Sequence, residues 1–271
     1  MLNLAVPNLS ELPELRIASL VPSITELLIA LGLRPYLVAR TGYCIHPAEA
    51  VREVPKVGGT KDVNLAKLRR LAPTHVIVNV DENRLDTVAA LREFVPHIVV
   101  THPQGPADNR QLLAQMQDYF GVVPGVAERC AVLAAELEQA LQRCRSQPWP
   151  EQRVLYLIWR EPWMTVARDT YIARMLAEVG WQSWPALEGG ASGAGRYPAL
   201  QGDERWLAGI DKVLLSTEPY SFNQTHLALA QALCPAASVQ LIDGELLSWY
   251  GPRVSAGLDY LRGLAGTDLP D

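Results

Sequence analysis

Short apolar runs alternate along this chain with stretches of about ten residues whose apolar positions recur every three or four. Residues 15–21 (LRIASLV) read as a short strand that stops at Pro22. Ser23 and Glu26, three apart, then predict a capping box opening a helix over ITELLIALG, with Gly32 as its end. YLVAR, HVIVNV (75–80) and HIVVT (97–101) read as further strands, and NLAKLRRLAP as the helix feeding the second of them. Strands joined by helices of this length cannot be hairpins, so they predict parallel pairing through helical crossovers.

The pattern changes over residues 124–147. Val126, Cys130, Leu133, Leu137, Leu141 and Cys144 recur at steps of three or four, which is one face of a single long helix. At 1.5 Å per residue such a helix spans about 30 Å, the width of a small domain. SQPWPEQ breaks it, and a second series follows. Its strands are RVLYLIW (153–159), KVLLS and SVQLID, and its helices lie at TYIARMLAEVG, DERWLAGI and VSAGLDYLRGL. The two series echo each other in pattern more than in identity, as in NLAKLRRLAPTHVIVNV and DERWLAGIDKVLLSTEP. The expected fold is therefore α/β: two similar Rossmann-like lobes with parallel sheets joined by one long helix. The lobes are placed at 1–123 and 148–271, with the linker helix at 124–147.

Composition narrows the function. Of 271 residues 49% are hydrophobic and 20% charged, and the net charge is −5 with both signs scattered, so no basic stripe exists for nucleic acid. The four cysteines form no CxxC pair, and all four are expected to be reduced. No apolar stretch approaches the ~18 residues of a membrane span. Residues 1–14 are read as an irregular lead-in, and MLNLAVPNLSELPELR lacks the charged start and apolar run of an export signal. The expected location is cytoplasmic as written, or periplasmic if the start is incomplete.

SLVPSITELLIALGL, the Tyr43 loop before Pro47, and VGGTKDVNLAKLRRLAPTHVIVN resemble the N-terminal lobe of the class III substrate-binding proteins, the helical backbone metal receptor superfamily. RVLYLIWREPWMTVARDTYIARMLAEVGW, the RYPAL…ERWLAGIDKVLLS stretch and SWYGPR are similar to its second lobe. The nearest likeness is to cobalamin-binding proteins of ABC importers, and it covers residues 15–264. The resemblance implies non-catalytic binding of a corrinoid (cobalamin-like) ligand in a cleft between the lobes, in the setting of ABC-type uptake. The alternative is an iron-siderophore, haem or another metal chelate in the same cleft. Ligand-facing positions would fall near Tyr43, Thr60 and Asn79 in the first lobe. In the second they would fall near Trp163, the loop with Arg196 and Tyr197, and the segment from Asp243 through Trp249 to Arg253. Thr60 and Asn79 stand where a close relative carries tryptophan. The family also offers one acidic residue per lobe to arginines of its ABC permease. Glu204 matches the second, but Ala66 replaces the first, a departure that weighs against docking.

The residues carry independent support for a flat ligand. All seven tryptophans lie at or beyond position 149. Trp159 and Trp163 flank Arg160 and Glu161 at the end of one predicted strand, Tyr220 and Phe222 follow a second, Trp249 and Tyr250 a third. These are the strand ends where α/β sheets present ligand sites. Trp181, Trp184 and Trp206, on or beside predicted helices, are assigned to packing. Arg160, Arg196 and Arg253 could meet polar ligand edges or form ordinary surface ion pairs. The glycine-rich GGASGAG (189–195) fits no phosphate loop and no nucleophile elbow, and is read as a mobile lip. His46, two residues from Cys44 in the Tyr43 loop, could approach a ligand's metal or simply hydrogen-bond the loop. His97 and His102 sit at opposite ends of one strand and share no metal. No catalytic residues, catalytic cofactor or metal site of the protein's own is expected.

Overall fold

The computed structural model describes residues 14–267, so the lead-in expected over 1–14 lies outside the described residues except for Glu14. The chain forms two compact units: Met1–His102 with Leu112–Val132, and Pro103–Gln111 with Leu133–Asp271.

In the first unit β1 (Ile17–Ser19), β2 (Leu37–Arg40), β3 (His75–Asn79) and β4 (His97–Thr101) make a parallel sheet in the order β2-β1-β3-β4. Its crossovers are α1 (Pro22–Ala30), then α2 (Ala48–Val51) and α3 (Leu65–Arg70), then α4 (Leu85–Leu91). Val76 and Val78 join a core with Leu68, Val88 and Leu91. Ile77, at the alternate position, is equally buried. Covering both faces of a parallel sheet is what makes its strands unbroken β-branched runs.

The expected capping box is not formed. Pro22, with its preset φ, occupies the first turn, and Val21 is the N-cap without a side-chain bond. Ser23 is therefore buried inside the helix. Thr25 supplies the local polar contacts instead, its hydroxyl donating to Ser19 Oγ (2.8 Å) and Val21 O (3.0 Å). The strand expected over 15–21 pairs only at Ile17–Ser19.

The second unit repeats the arrangement. β5 (Gln152–Leu157), β6 (Trp181–Ser183), β7 (Lys212–Ser216) and β8 (Ser238–Ile242) pair in parallel in the order β6-β5-β7-β8. α7 (Tyr171–Ala177) leads into β6 and α8 (Leu227–Leu233) into β8, while α9 (Gly244–Ser248) and α10 (Val254–Gly266) follow. The helix expected at DERWLAGI is a single 3-10 segment, Arg205–Gly209, ended by its glycine. Trp181 lies on a strand, not a helix, and is 1% exposed.

α6 (Val126–Arg145) is built from strong helix formers, with Glu128 in its first turn and Arg143 and Arg145 in its last, each placed to suit the helix dipole. Val126, Cys130, Leu137, Leu141 and Cys144 are buried and Leu133 half-buried, so the apolar stripe is the packed face. Near its start Arg129 Nη1 reaches Leu31 O (3.5 Å). Near its end Arg143 forks onto Asp259 (2.9 and 2.7 Å).

Before it, α5 (Asn109–Phe120) begins with Asn109, which explains why residues 103–111 belong to the second unit. The Asn109 side chain accepts from Gly251 N (2.6 Å) and donates to Tyr171 Oη (3.3 Å). All four cysteines are free and buried.

Candidate functional site

Both sheets reverse direction of growth between their two central strands, β1 and β3 in one unit, β5 and β7 in the other. In open α/β sheets ligands bind where the chain leaves such strands.

In the first unit the buried Arg40 organises the exit of β2. Its guanidinium donates to the carbonyls of Val51 (3.0 Å), Thr41 (3.2 Å) and Cys44 (3.1 Å), which fixes the loop bearing Tyr43 and His46. Tyr43 is 66% exposed, a large apolar ring left open to solvent. A second loop meets the first where Gly42 N donates to Gly58 O (2.7 Å). Gly58 has φ +100°, and a Cβ there would lie 2.2 Å from Asp62 O, so the turn demands glycine. A Cβ on Gly59 would lie 3.3 Å from Tyr43 Cε2, so the ring rests over this turn beside Thr60.

Asn83 ties the turn to β3. Its amide donates to Thr60 O (2.9 Å) and Leu20 O (3.2 Å), and its oxygen accepts from Asn79 N (2.8 Å). Tyr43, Thr60 and Asn79 are thus neighbours. The Asn79 side chain, however, is buried and used internally. Its oxygen accepts from Asp81 N (2.8 Å) and Glu82 N (3.2 Å), and its nitrogen donates to Thr101 O (3.0 Å). It shapes the β3 exit more than it faces solvent. His46 is half-buried.

In the second unit an aromatic group gathers at the exits of β5 and β7. Trp163 stacks on Phe222 (6.0 Å, 11°), Phe222 tilts against Tyr220 (4.6 Å), and Trp159 meets Tyr220 edge-on (5.4 Å). Trp159 is 41% exposed, and the Arg160 guanidinium lies 5.8 Å from the Trp163 ring. Tyr197 lies in a segment laced to the Trp163 loop through Thr165 N to Pro198 O (3.0 Å) and Leu200 N to Trp163 O (2.8 Å).

Trp249 is nearly buried, and its Nε1 donates to Glu218 Oε1 (2.6 Å), which also accepts from Ser248 Oγ (2.7 Å). Arg253 covers the Trp249 ring at 4.6 Å and pairs with Glu245. Burial pushes the Glu218 carboxyl above the usual range, with the Glu245 charge adding to it; the Ser248 and Trp249 bonds and Arg253 pull the other way.

Arg196, expected to meet a ligand, is 1% exposed. Its Nη1 donates to Gly190 O (2.8 Å) and stands 3.9 Å from Asp169, whose carboxylate accepts from Gly189 N and Gly190 N (2.8 Å each). The start of the glycine-rich segment, read as a mobile lip, is therefore clamped, and this guanidinium is spent on the clamp. Glu204 holds the turn before Arg205–Gly209 by accepting from Gln201 N (2.7 Å) and Gly202 N (2.9 Å). Burial raises its pKa, but the backbone donors outweigh that and lower it overall. Ala66 is exposed on α3.

An open cleft of about 350 Å³ in the second unit is lined by Gly105, Asp108, Arg174 and Glu178, where the chain approaches the start of β6, away from the aromatic group. Among the described residues no three His, Cys, Asp or Glu side chains could hold a metal, and no helix is long and apolar enough to cross a membrane. Asn83, Asp169, Glu218 and His226 were not evident from sequence. Only the Asn-x-x-His spacing of 223–226, a polar pair able to cap a turn, carried a local signal.

Two parallel α/β units, with aromatic and arginine side chains at the strand exits, are the architecture of a solute-binding protein. The chain belongs to the family described as periplasmic binding protein, which matches residues 17–200. It is a class III substrate-binding protein and not an enzyme. It is 28% identical over 173 residues to the vitamin B12-binding protein of Vibrio cholerae serotype O1, an alignment spanning 62% of this chain and 60% of that relative. The crystal structure of the periplasmic vitamin B12 binding protein of Vibrio cholerae superposes with TM-score 0.78 at 19% identity, covering 93% of this chain and 96% of that one. A periplasmic haem-binding protein from Pseudomonas aeruginosa gives 0.76 at 20% identity, covering 96% and 95%.

Proposed function

We propose that this protein binds a corrinoid, using loops at the strand exits, and serves ABC-type uptake without altering its ligand. The aromatic group of Trp159, Trp163, Tyr220 and Phe222 carries the reading. Rings presented at the reversal point of a sheet offer contact area to a flat macrocycle, each worth on the order of 2 kcal/mol when covered. Arg160 and Arg253, held over Trp163 and Trp249, supply donors for the amide-bearing rim of such a ligand. The vitamin B12-binding relative points the same way.

Titration with cyanocobalamin, followed by tryptophan fluorescence corrected for ligand absorbance, tests this directly. Absence of quenching at micromolar ligand refutes it. The second reading is haem or another metal chelate in the same place. Thr60 favours it, because it places a hydroxyl beside the Tyr43 ring where a corrinoid-binding relative carries tryptophan. Competition between haem and cyanocobalamin separates the two. For the permease, Glu204 is the proposed contact, and Glu204→Lys should lower uptake while leaving ligand affinity unchanged. Fractionation of the native cells distinguishes a cytoplasmic carrier from a periplasmic receptor.

A further inference from the structure

Behind the aromatic group lies a histidine that packing alone does not explain. His226 is 8% exposed. Asn223 N donates to its Nδ1 at 3.1 Å, so that nitrogen carries no hydrogen. The neutral ring then bears its proton on Nε2, which stands 3.3 Å from Tyr220 Oη. The Tyr220 oxygen is thereby the acceptor in this contact, and its own hydrogen remains to be given elsewhere. The turn that sets this up is tight: Asn223 Oδ1 accepts from Thr225 N (3.0 Å) and Thr225 Oγ1 (2.7 Å). The rings are held edge to face, Tyr220 to His226 at 5.5 Å and Phe222 to His226 at 5.4 Å.

We propose that Tyr220 donates its hydroxyl hydrogen to an oxygen at the rim of the ligand, and that His226 is the positioning residue that fixes this polarity. A hydroxyl already accepting one hydrogen bond is polarised into a better donor. The inference rests on the binding role proposed above and sharpens it. The ligand is a flat ring whose side arms end in acceptor oxygens, carboxylate or amide carbonyl, and a ring with a wholly apolar rim is bound more weakly.

The probes are haem, which presents carboxylates, and cyanocobalamin, which presents amides. Tyr220→Phe keeps the ring and should weaken binding of the wild type's preferred probe about tenfold. The histidine is tested by two variants with opposite losses. His226→Asn keeps an acceptor near the place of Nδ1 and loses the donor to Tyr220; binding should fall several-fold while the melting temperature holds. His226→Gln keeps a donor near the place of Nε2 and loses the cap; affinity should survive while the melting temperature falls. The reverse pattern means the histidine only caps its turn, and overturns the proposal. So does Tyr220→Phe with wild-type affinity, or a side-chain nitrogen NMR spectrum placing the His226 proton on Nδ1. Wild-type protein that binds neither probe overturns the binding role itself and this inference with it, a result distinct from binding that Tyr220→Phe leaves unchanged.

Discussion

Replacing Asp169 by alanine should cost the second unit about 3 kcal/mol, the low end of the loss on removing one partner of a buried ion pair. The carboxylate makes two short bonds to Gly189 N and Gly190 N and faces the Arg196 guanidinium, which is 1% exposed. Its pKa records the same balance: burial raises it, but the backbone donors and Arg196 outweigh that and lower it. Alanine removes the acceptor from two amides and a facing negative charge from a buried cation. For a unit of this size each kcal/mol is worth roughly 2–4 °C of melting temperature, so the expected drop is roughly 6–12 °C. Calorimetry reads it, and protease cleavage within 189–195 should quicken in parallel. Asp169→Asn, which keeps one acceptor, should lose about half as much. Adding Arg196→Met to Asp169→Ala should recover part of the loss, because the buried guanidinium that faced the lost carboxylate is then gone. If Asp169→Ala melts within 2 °C of wild type, or the double variant is worse than the single, the clamp is not what holds this segment.

Three further outcomes follow from the same contacts. Burial raises the folded pKa of Glu218 above its unfolded value, so its contribution is fullest at acid pH and is lost as pH rises through the folded pKa. Glu218→Gln keeps an acceptor for Trp249 and Ser248 and should gain stability over wild type at pH 8 but not at pH 4. Glu218→Leu strands both donors and should lose about 1–3 kcal/mol for each, read by urea denaturation. His75, stacked on His97 at 4.5 Å, has its pKa lowered to about 4, by burial first and then by the His97 charge. The unfolded chain binds that proton more readily, so the first unit should lose stability as pH falls from 6.5 towards 4, and His75→Phe should flatten that slope in thermal melts. Gly58→Ala places a Cβ against Asp62 O at positive φ and should cost about 1–3 kcal/mol, with the near-ultraviolet dichroism of Tyr43 changed.

How far the sequence could be read depended on whether the information was local. β3 and β4 were legible as unbroken β-branched runs, and α6 as a sustained stripe of one period. The shared strand order of the two sheets was foreshadowed by the repeated helix-strand pattern. α5 carries a local signal too, since Leu112, Met116 and Phe120 keep helical spacing and are buried. β6 was hidden because three residues carry no period. The capping box failed because Ser23 and Glu26 fit the motif while Pro22 set the start two residues earlier, with Val21 as N-cap. At the site the aromatics were visible as residues trailing strands. The polar hubs were not, because Glu218 meets Trp249 across 31 positions and Asp169 meets Gly189 across 20, and no window along the chain contains both partners.

The uneven distribution of side chains between the units makes the proposed binding role divisible by experiment. Every tryptophan follows position 148, so indole stacking area is supplied by the second unit, whereas at its strand exits the first offers Tyr43, an exposed ring on a turn held by amides. Stacking does not depend on which polar groups a ligand's rim carries, while hydrogen bonds at that rim do. Trp159→Ala and Trp163→Ala should therefore weaken haem and cyanocobalamin by similar factors. Thr60→Trp should shift the ratio between the two towards the corrinoid, because it restores a flat wall where this chain has a hydroxyl. If the tryptophan variants change the ratio and Thr60→Trp does not, discrimination resides in the second unit, and Thr60 no longer favours haem as the ligand.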